Sequence, residues 1–210
     1  MSFHDGAPVV VIAFNRPQYI ERVLASLKNQ VGESISDEQI HFFQDGAINP
    51  ISGERYAEDA DLEIGAELFR RYFPNGALHR SDHNLGVALN FERAERFVFE
   101  EHEASVAYFF EDDLELGPAY LATLRRLANI ALARDDVGYF AAYGSPFKTV
   151  SEQEAVANQV QHLGHHWAFG LTRKQWLKSR PIVNQYLDLV RSIDYRQRRT
   201  ADVAALLKSW

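Results

Sequence analysis

The 210-residue sequence predicts an α/β fold: a mainly parallel sheet flanked by helices, in a single domain. Three observations predict it. Near-continuous apolar runs at residues 8–14 and 105–110 have the character of parallel strands covered on both faces. Stretches with apolar residues at helical spacing alternate with such runs, which implies a doubly wound sheet. The chain carries no Gly/Ser/Pro-rich linker and no internal repeat, and its length suits one well-buried domain.

The first strand ends where Asn15-Arg16-Pro17 breaks the apolar run. A helix starts there, with Ile20, Val23, Leu24 and Leu27 on one face. A second strand, residues 39–44, ends at the turn signal Asp45-Gly46. The acidic stretch 53–72 reads as a solvated helix with a thin apolar stripe. A short third strand at 77–80 leads through Asn84-Leu85-Gly86 into a helix over 87–101. The strand at 105–110 runs into Glu111-Asp112-Asp113-Leu114, and after Gly117-Pro118 an amphipathic helix covers 119–134. Residues 137–143 form another strand, ended by Gly144-Ser145-Pro146. Residues 162–167 are a mixed strand or loop, and helices fill most of the remainder.

Composition excludes several classes. With 46% hydrophobic and 24% charged residues, the chain is an ordinary globular one. A formal net charge of −7 argues against a nucleic-acid surface. The absence of cysteine excludes disulfides and thiolate metal sites. No apolar run reaches the length of a membrane span, and the first six residues lack the basic and apolar regions of a signal peptide. A cytoplasmic location is the expectation. The helical pattern near Trp210 stops without a cap, which reads as a truncated C-terminus.

The acidic triplet carries the chemistry. Three consecutive carboxylates at a strand exit repel one another, and their desolvation is costly unless a cation shares the site. Hard ions such as Mn²⁺ and Mg²⁺ favour carboxylate and phosphate oxygens together. The bland reading is that these acids merely open a helix. Arg16 is either a surface ion-pair partner or a planar guanidinium for two phosphate oxygens. Asp45 is either a turn residue or an acceptor for a base or ribose. Asn84 is either a helix cap or part of a donor site. His165 and His166, adjacent on a strand, would face opposite sides and clamp a metal poorly. One of them packs while the other faces a ligand. Trp167 is a core anchor or the rim of an acceptor pocket.

Taken in order, residues 9–17, Gln44-Asp45, Asn84-Leu85-Gly86 and Glu111-Asp112-Asp113-Leu114-Glu115 resemble the nucleotide-sugar-dependent glycosyltransferases of the GT-A (Rossmann-like) fold. The closest likeness is to the N-acetylglucosaminyltransferase I type and related inverting bacterial enzymes of family-2-like character. The resemblance implies a nucleotide-sugar site built from Ala13, Asn15, Arg16, Asp45, Asn84, Glu111 and Asp112. Within it, Arg16 would contact the diphosphate, Asp45 the uracil and Asp112 the ribose. Asp113 would bind Mn²⁺ or Mg²⁺. Counting without a gap from Trp167 puts Asp188 where the relatives carry their catalytic base, with Asp194 in reserve. His166 and Trp167 would lie at the acceptor rim. The nucleotide-sugar-binding half would cover about residues 8–115, and the acceptor and catalytic half about 116–210.

The implied function is inverting transfer of a sugar, from a UDP-sugar by preference, to a hydroxyl of a glycan or other acceptor. The expected partners are that donor and acceptor, with no nucleic acid and no integral membrane segment. Two other classes compete. A sugar nucleotidyltransferase would carry a glycine-rich, basic loop after its first strand, and residues 13–17 are not one. A non-catalytic or donor-binding domain of a larger polysaccharide-synthesising protein would bind the donor without turning it over.

Overall fold

The computed structural model describes residues 6–32, 35–145, 147–157, 159–197 and 199–209. The readings at residues 1–5, Pro146 and Trp210 lie outside them. A six-stranded sheet in the order β3-β2-β1-β4-β6-β5 forms the centre. Its strands are Val9–Ala13 (β1), Ile40–Gln44 (β2), Ala77–Arg80 (β3), Val106–Glu111 (β4), Tyr139–Ala141 (β5) and Phe169–Thr172 (β6). The first four are parallel, with Val9 opposite both Ile40 and Tyr108, while β6 runs antiparallel between β4 and β5.

Every residue of β1 is buried, because strand neighbours lie on both edges and helices on both faces. Side chains alternate with the two-residue period of a strand. Val9 and Val11 join Phe42, Tyr108 and Phe110 in the core beneath Pro17–Lys28 (α1), Asp59–Tyr72 (α2) and Tyr120–Leu132 (α4). Val10 and Ile12 join Phe43, Ala107 and Phe109 on the other face, beneath Val87–Arg96 (α3) and Arg173–Arg191 (α6). The four expected apolar residues of α1 are all buried. Two shorter helices, Val150–Glu154 (α5) and Thr200–Lys208 (α7), complete the chain.

Four details depart from the sequence reading. Residues 47–56 form a hairpin-like loop instead of the start of a helix, tied by an Ile48–Arg55 bridge and by the Tyr56 amide donating to Ala47 (2.8 Å). The Asn49 side chain accepts the amides of Ile51 and Ser52, a local bond that competes with helix formation. The helix over 87–101 loosens into a π-turn at Phe97–Glu101. Strand β6 begins only after Trp167, and residues 161–168 are irregular. Trp167 is 45% exposed, so the core anchor of this region is the buried Trp176.

The strand order positions the site. Strands β2 and β3 lie to one side of β1, and the chain then crosses over to place β4 on the other. The carboxyl ends of β1 and β4 therefore flank a topological switch point, where open α/β sheets hold ligands.

Candidate functional site

A cleft of about 420 Å³ opens at that switch point, bordered by residues 12–16, Asp45, Tyr56, Asn84, Gly86, Val87, Asn90, Glu111, Asp112, Tyr195 and Arg196. All but Tyr195 and Arg196 come from the half expected to bind the nucleotide sugar.

Arg16 is the N-cap residue of α1, in the turn that Pro17 forces at the end of β1. Its guanidinium donates through one nitrogen to the buried Asp112 and through the other to Asp113, at 2.9 Å. Asp112 also accepts the Phe14 amide at 2.9 Å, which locks the end of β4 to the end of β1. Burial raises the Asp112 pKa, against the Phe14 amide and the Arg16 charge. Glu111, the last residue of β4, is half-buried in the cleft, and no described residue donates a hydrogen bond to it. Burial and then the carboxylates of Asp113 and Asp112 raise its pKa.

Asp45 sits just past β2 and is buried. Its carboxylate accepts the amides of Gly46 (3.0 Å), Leu85 (2.8 Å) and Gly86 (2.9 Å), and the Asn84 side-chain amide (3.2 Å). Those four bonds fill the four acceptor positions of a carboxylate. Asp45 thereby builds the turn that borders the cleft. Asn84 donates as well to the Gly46 carbonyl at 3.0 Å. It does not cap α3, whose N-cap residue is Gly86. The backbone of His83 passes so close that a Cβ on Gly46 would meet it at 2.5 Å, which explains the glycine.

The two carboxylates considered as a base lie in different places. Asp188 is three residues from the end of the continuous helix α6, with its side chain 70% exposed and paired to Arg191 at 3.2 Å. It faces a groove between α3 and α6, away from the cleft. The structure thus places Asp188, the first candidate for the base, away from the cleft that holds Arg16, Glu111 and Asp112. Asp194 has no exposed surface and lies immediately before Tyr195 in the cleft wall. Hydrogen bonds from Ser52 and Tyr56 hold its pKa below the usual range.

His166 and Trp167 do not border the cleft. His165 is buried, with Nε2 3.2 Å from the Tyr143 carbonyl oxygen, and Trp167 stacks on its ring. His165 is the one that packs, on a loop and not a strand, while His166 is exposed and lies outside the cleft.

Tyr56, Asn90, Tyr195 and Arg196 are cleft residues that sequence reasoning missed. Tyr56 was hidden inside the supposed acidic helix. Asn90 carried a signal, a polar residue on the otherwise apolar face of α3, and its side chain donates to the Phe43 carbonyl at 3.1 Å. Nothing in the local pattern marks Tyr195 or Arg196. No protein-family model matches this chain, and a search of curated proteins finds no match either.

Among the described residues, no three histidines or carboxylates are grouped to hold a metal by themselves. The donor set at the cleft is nevertheless of the kind that Mg²⁺ or Mn²⁺ takes, one or two carboxylates completed by substrate phosphates and water. The crowding of Glu111, Asp112 and Asp113 around Arg16 is an excess of negative charge that a cation relieves. The residues fit such an ion.

Proposed function

We propose that the chain is an inverting glycosyltransferase that moves a sugar from a nucleotide-sugar donor to an acceptor hydroxyl. The observation that carries this reading is the Arg16 guanidinium shared between Asp112 and Asp113, at the mouth of a cleft on the switch point of the sheet. A cleft of about 420 Å³ falls within the range of small-molecule sites. Its polar groups also match the needs of a nucleotide sugar.

Arg16 is a bidentate donor, suited to a diphosphate as readily as to two carboxylates. Asp112 is rigidly held and would accept the ribose hydroxyls. Asp113, the exposed member of the pair, would hold Mn²⁺ or Mg²⁺. When bound, such an ion neutralises charge on the leaving diphosphate. The acceptor oxygen forms a bond to the anomeric carbon as the bond to the diphosphate oxygen breaks, and the configuration inverts. Glu111 is the carboxylate best suited to take the acceptor proton. It lines the cleft and is free of donors among the described residues, and burial with the neighbouring carboxylates raises its pKa, the direction that makes it a stronger base. Asp45 and Asn84 shape the turn beside the nucleotide.

A thermal-shift screen of UDP-, GDP- and dTDP-sugars with and without Mn²⁺ tests the reading. A ligand at about 100 times its Kd should raise the melting temperature by about 5–10 °C for a domain of this size. The Mn²⁺-dependent part of the shift should vanish in Asp113→Ala. If no nucleotide sugar stabilises the wild type under either condition, the reading is wrong.

A further inference from the structure

One wall of the cleft comes from the far end of the chain. After α6, the turn at residues 194–197 lies against both the 47–56 loop and the turn at Gly86. The Asp194 carboxylate accepts from the Tyr56 hydroxyl (2.6 and 2.8 Å to its two oxygens), from the Ser52 hydroxyl and from the Arg196 amide (2.9 Å). Its carbonyl accepts the Gln197 amide at 2.8 Å, which closes the turn. Tyr195 packs over Gly86, where a Cβ would lie 3.5 Å from that of the tyrosine.

This anchoring fixes the next side chain. The Arg196 guanidinium carbon lies 4.3 Å from the centre of the Tyr56 ring, a cation–π contact, and the residue borders the cleft. Arg16 is already shared by two carboxylates. No carboxylate among the described residues forms an ion pair with Arg196. The carboxylates at the cleft make a further cation on its wall favourable for an anionic ligand. Asp45, Glu111 and Asp112 line the cleft, with Asp113 adjoining, while Arg16 is shared by Asp112 and Asp113 and Arg93 acts on Asp45. A polyanionic diphosphate entering beside those groups is attracted further by each positive group on the cleft wall.

We propose that Arg196 is a second anion-binding residue of this cleft, gripping the donor diphosphate from a different wall than Arg16, and that Asp194 is its positioning residue. The proposal rests on the nucleotide-sugar reading. A guanidinium stacked on a fixed ring presents its N–H edge at little further cost in entropy. The Asp194 carboxylate, wholly engaged by Ser52, Tyr56 and the Arg196 amide, sets the turn and does not reach for a substrate.

Dissociation constants for UDP and for uridine separate the possibilities, measured by calorimetry and by NMR titration on the whole chain. Arg196→Ala should weaken UDP about tenfold or more while leaving uridine within about twofold, the scale of a lost hydrogen bond to a charged group. Arg196→Lys should recover only part of the loss, because an ammonium lacks the planar fork. Asp194→Asn should weaken UDP in the wild type yet add little in the Arg196→Ala background, whereas a merely structural role would add in full. Wild-type protein that binds UDP with an affinity Arg196→Ala leaves unchanged overturns this proposal alone. So does an equal loss for UDP and uridine. Wild-type protein that binds no UDP overturns the proposal together with the reading beneath it.

Discussion

Arg16 and Glu111 make contrasting use of one small region. Arg16 holds Asp112 and Asp113 as an internal cation, which ties the acidic end of β4 to the start of α1. On the proposed reading, a donor diphosphate would draw the guanidinium away from at least one of them. Glu111 has no such partner, and its environment raises its pKa. Glu111→Gln should lower turnover by about 100-fold or more, the usual scale of general-base catalysis, with UDP affinity within about twofold. Steady-state kinetics beside calorimetry would check this, and unchanged turnover would remove Glu111 from the role of base. The sequence made Arg16, Asp45, Asn84 and the acidic triplet legible as strand-exit residues, and all but Asp113 border one cleft. It did not make their bonding legible. Asp45 looked like a reader of the base, but its carboxylate is filled by amides 40 residues further on, a contact no local pattern reveals.

At the level of elements, α3 and α6 are joined by charge buried between them. Glu92 accepts from Arg180 at 3.0 Å and from Arg191, while Glu95 accepts the Trp176 indole N–H at 3.1 Å. Burial pushes Glu95 up to about 7. The folded chain therefore holds a proton between about pH 4.5 and 7 that the unfolded chain releases, so stability falls as pH rises through that window. Glu95→Gln should remove the fall and stabilise the protein above pH 7 by on the order of 3 kcal/mol. Urea unfolding at pH 5 and pH 8 measures it, and equal gains at both pH values would contradict the assignment. Helical periodicity made α1, α3 and α4 readable. It failed for Asp188, because only packing shows that α6 runs unbroken through Pro181 to Arg191 and turns this carboxylate outward. Strand β6 was missed because four residues with a central glycine carry too short a pattern, and its place is set by pairing with β4 and β5.

Across the whole molecule, the pH response has a second component. His41 on β2 and His79 on β3 lie with ring nitrogens 3.3 Å apart, and His102 is close to His41. Burial, the neighbouring histidines and, for His79, Arg93 push both down to about 4. Here the unfolded state binds the extra protons, so stability is lost as pH falls from about 6.5 through 4. Two histidines outweigh one glutamate below pH 6.5, so these three groups together favour the fold most near pH 6.5–7. A profile of melting temperature against pH should show it, and His41→Leu should flatten its acid side. The parallel order of β1 to β4 was legible from alternating strands and helices alone. The clamp at Asp194 has a different consequence. It joins Ser52 to a residue 142 positions away, and Arg16 meets Asp112 across 96. Closing such long loops is entropically costly and depends on the sheet already being formed. The cleft is therefore built from contacts of high sequence separation, which no local segment of the chain can form by itself.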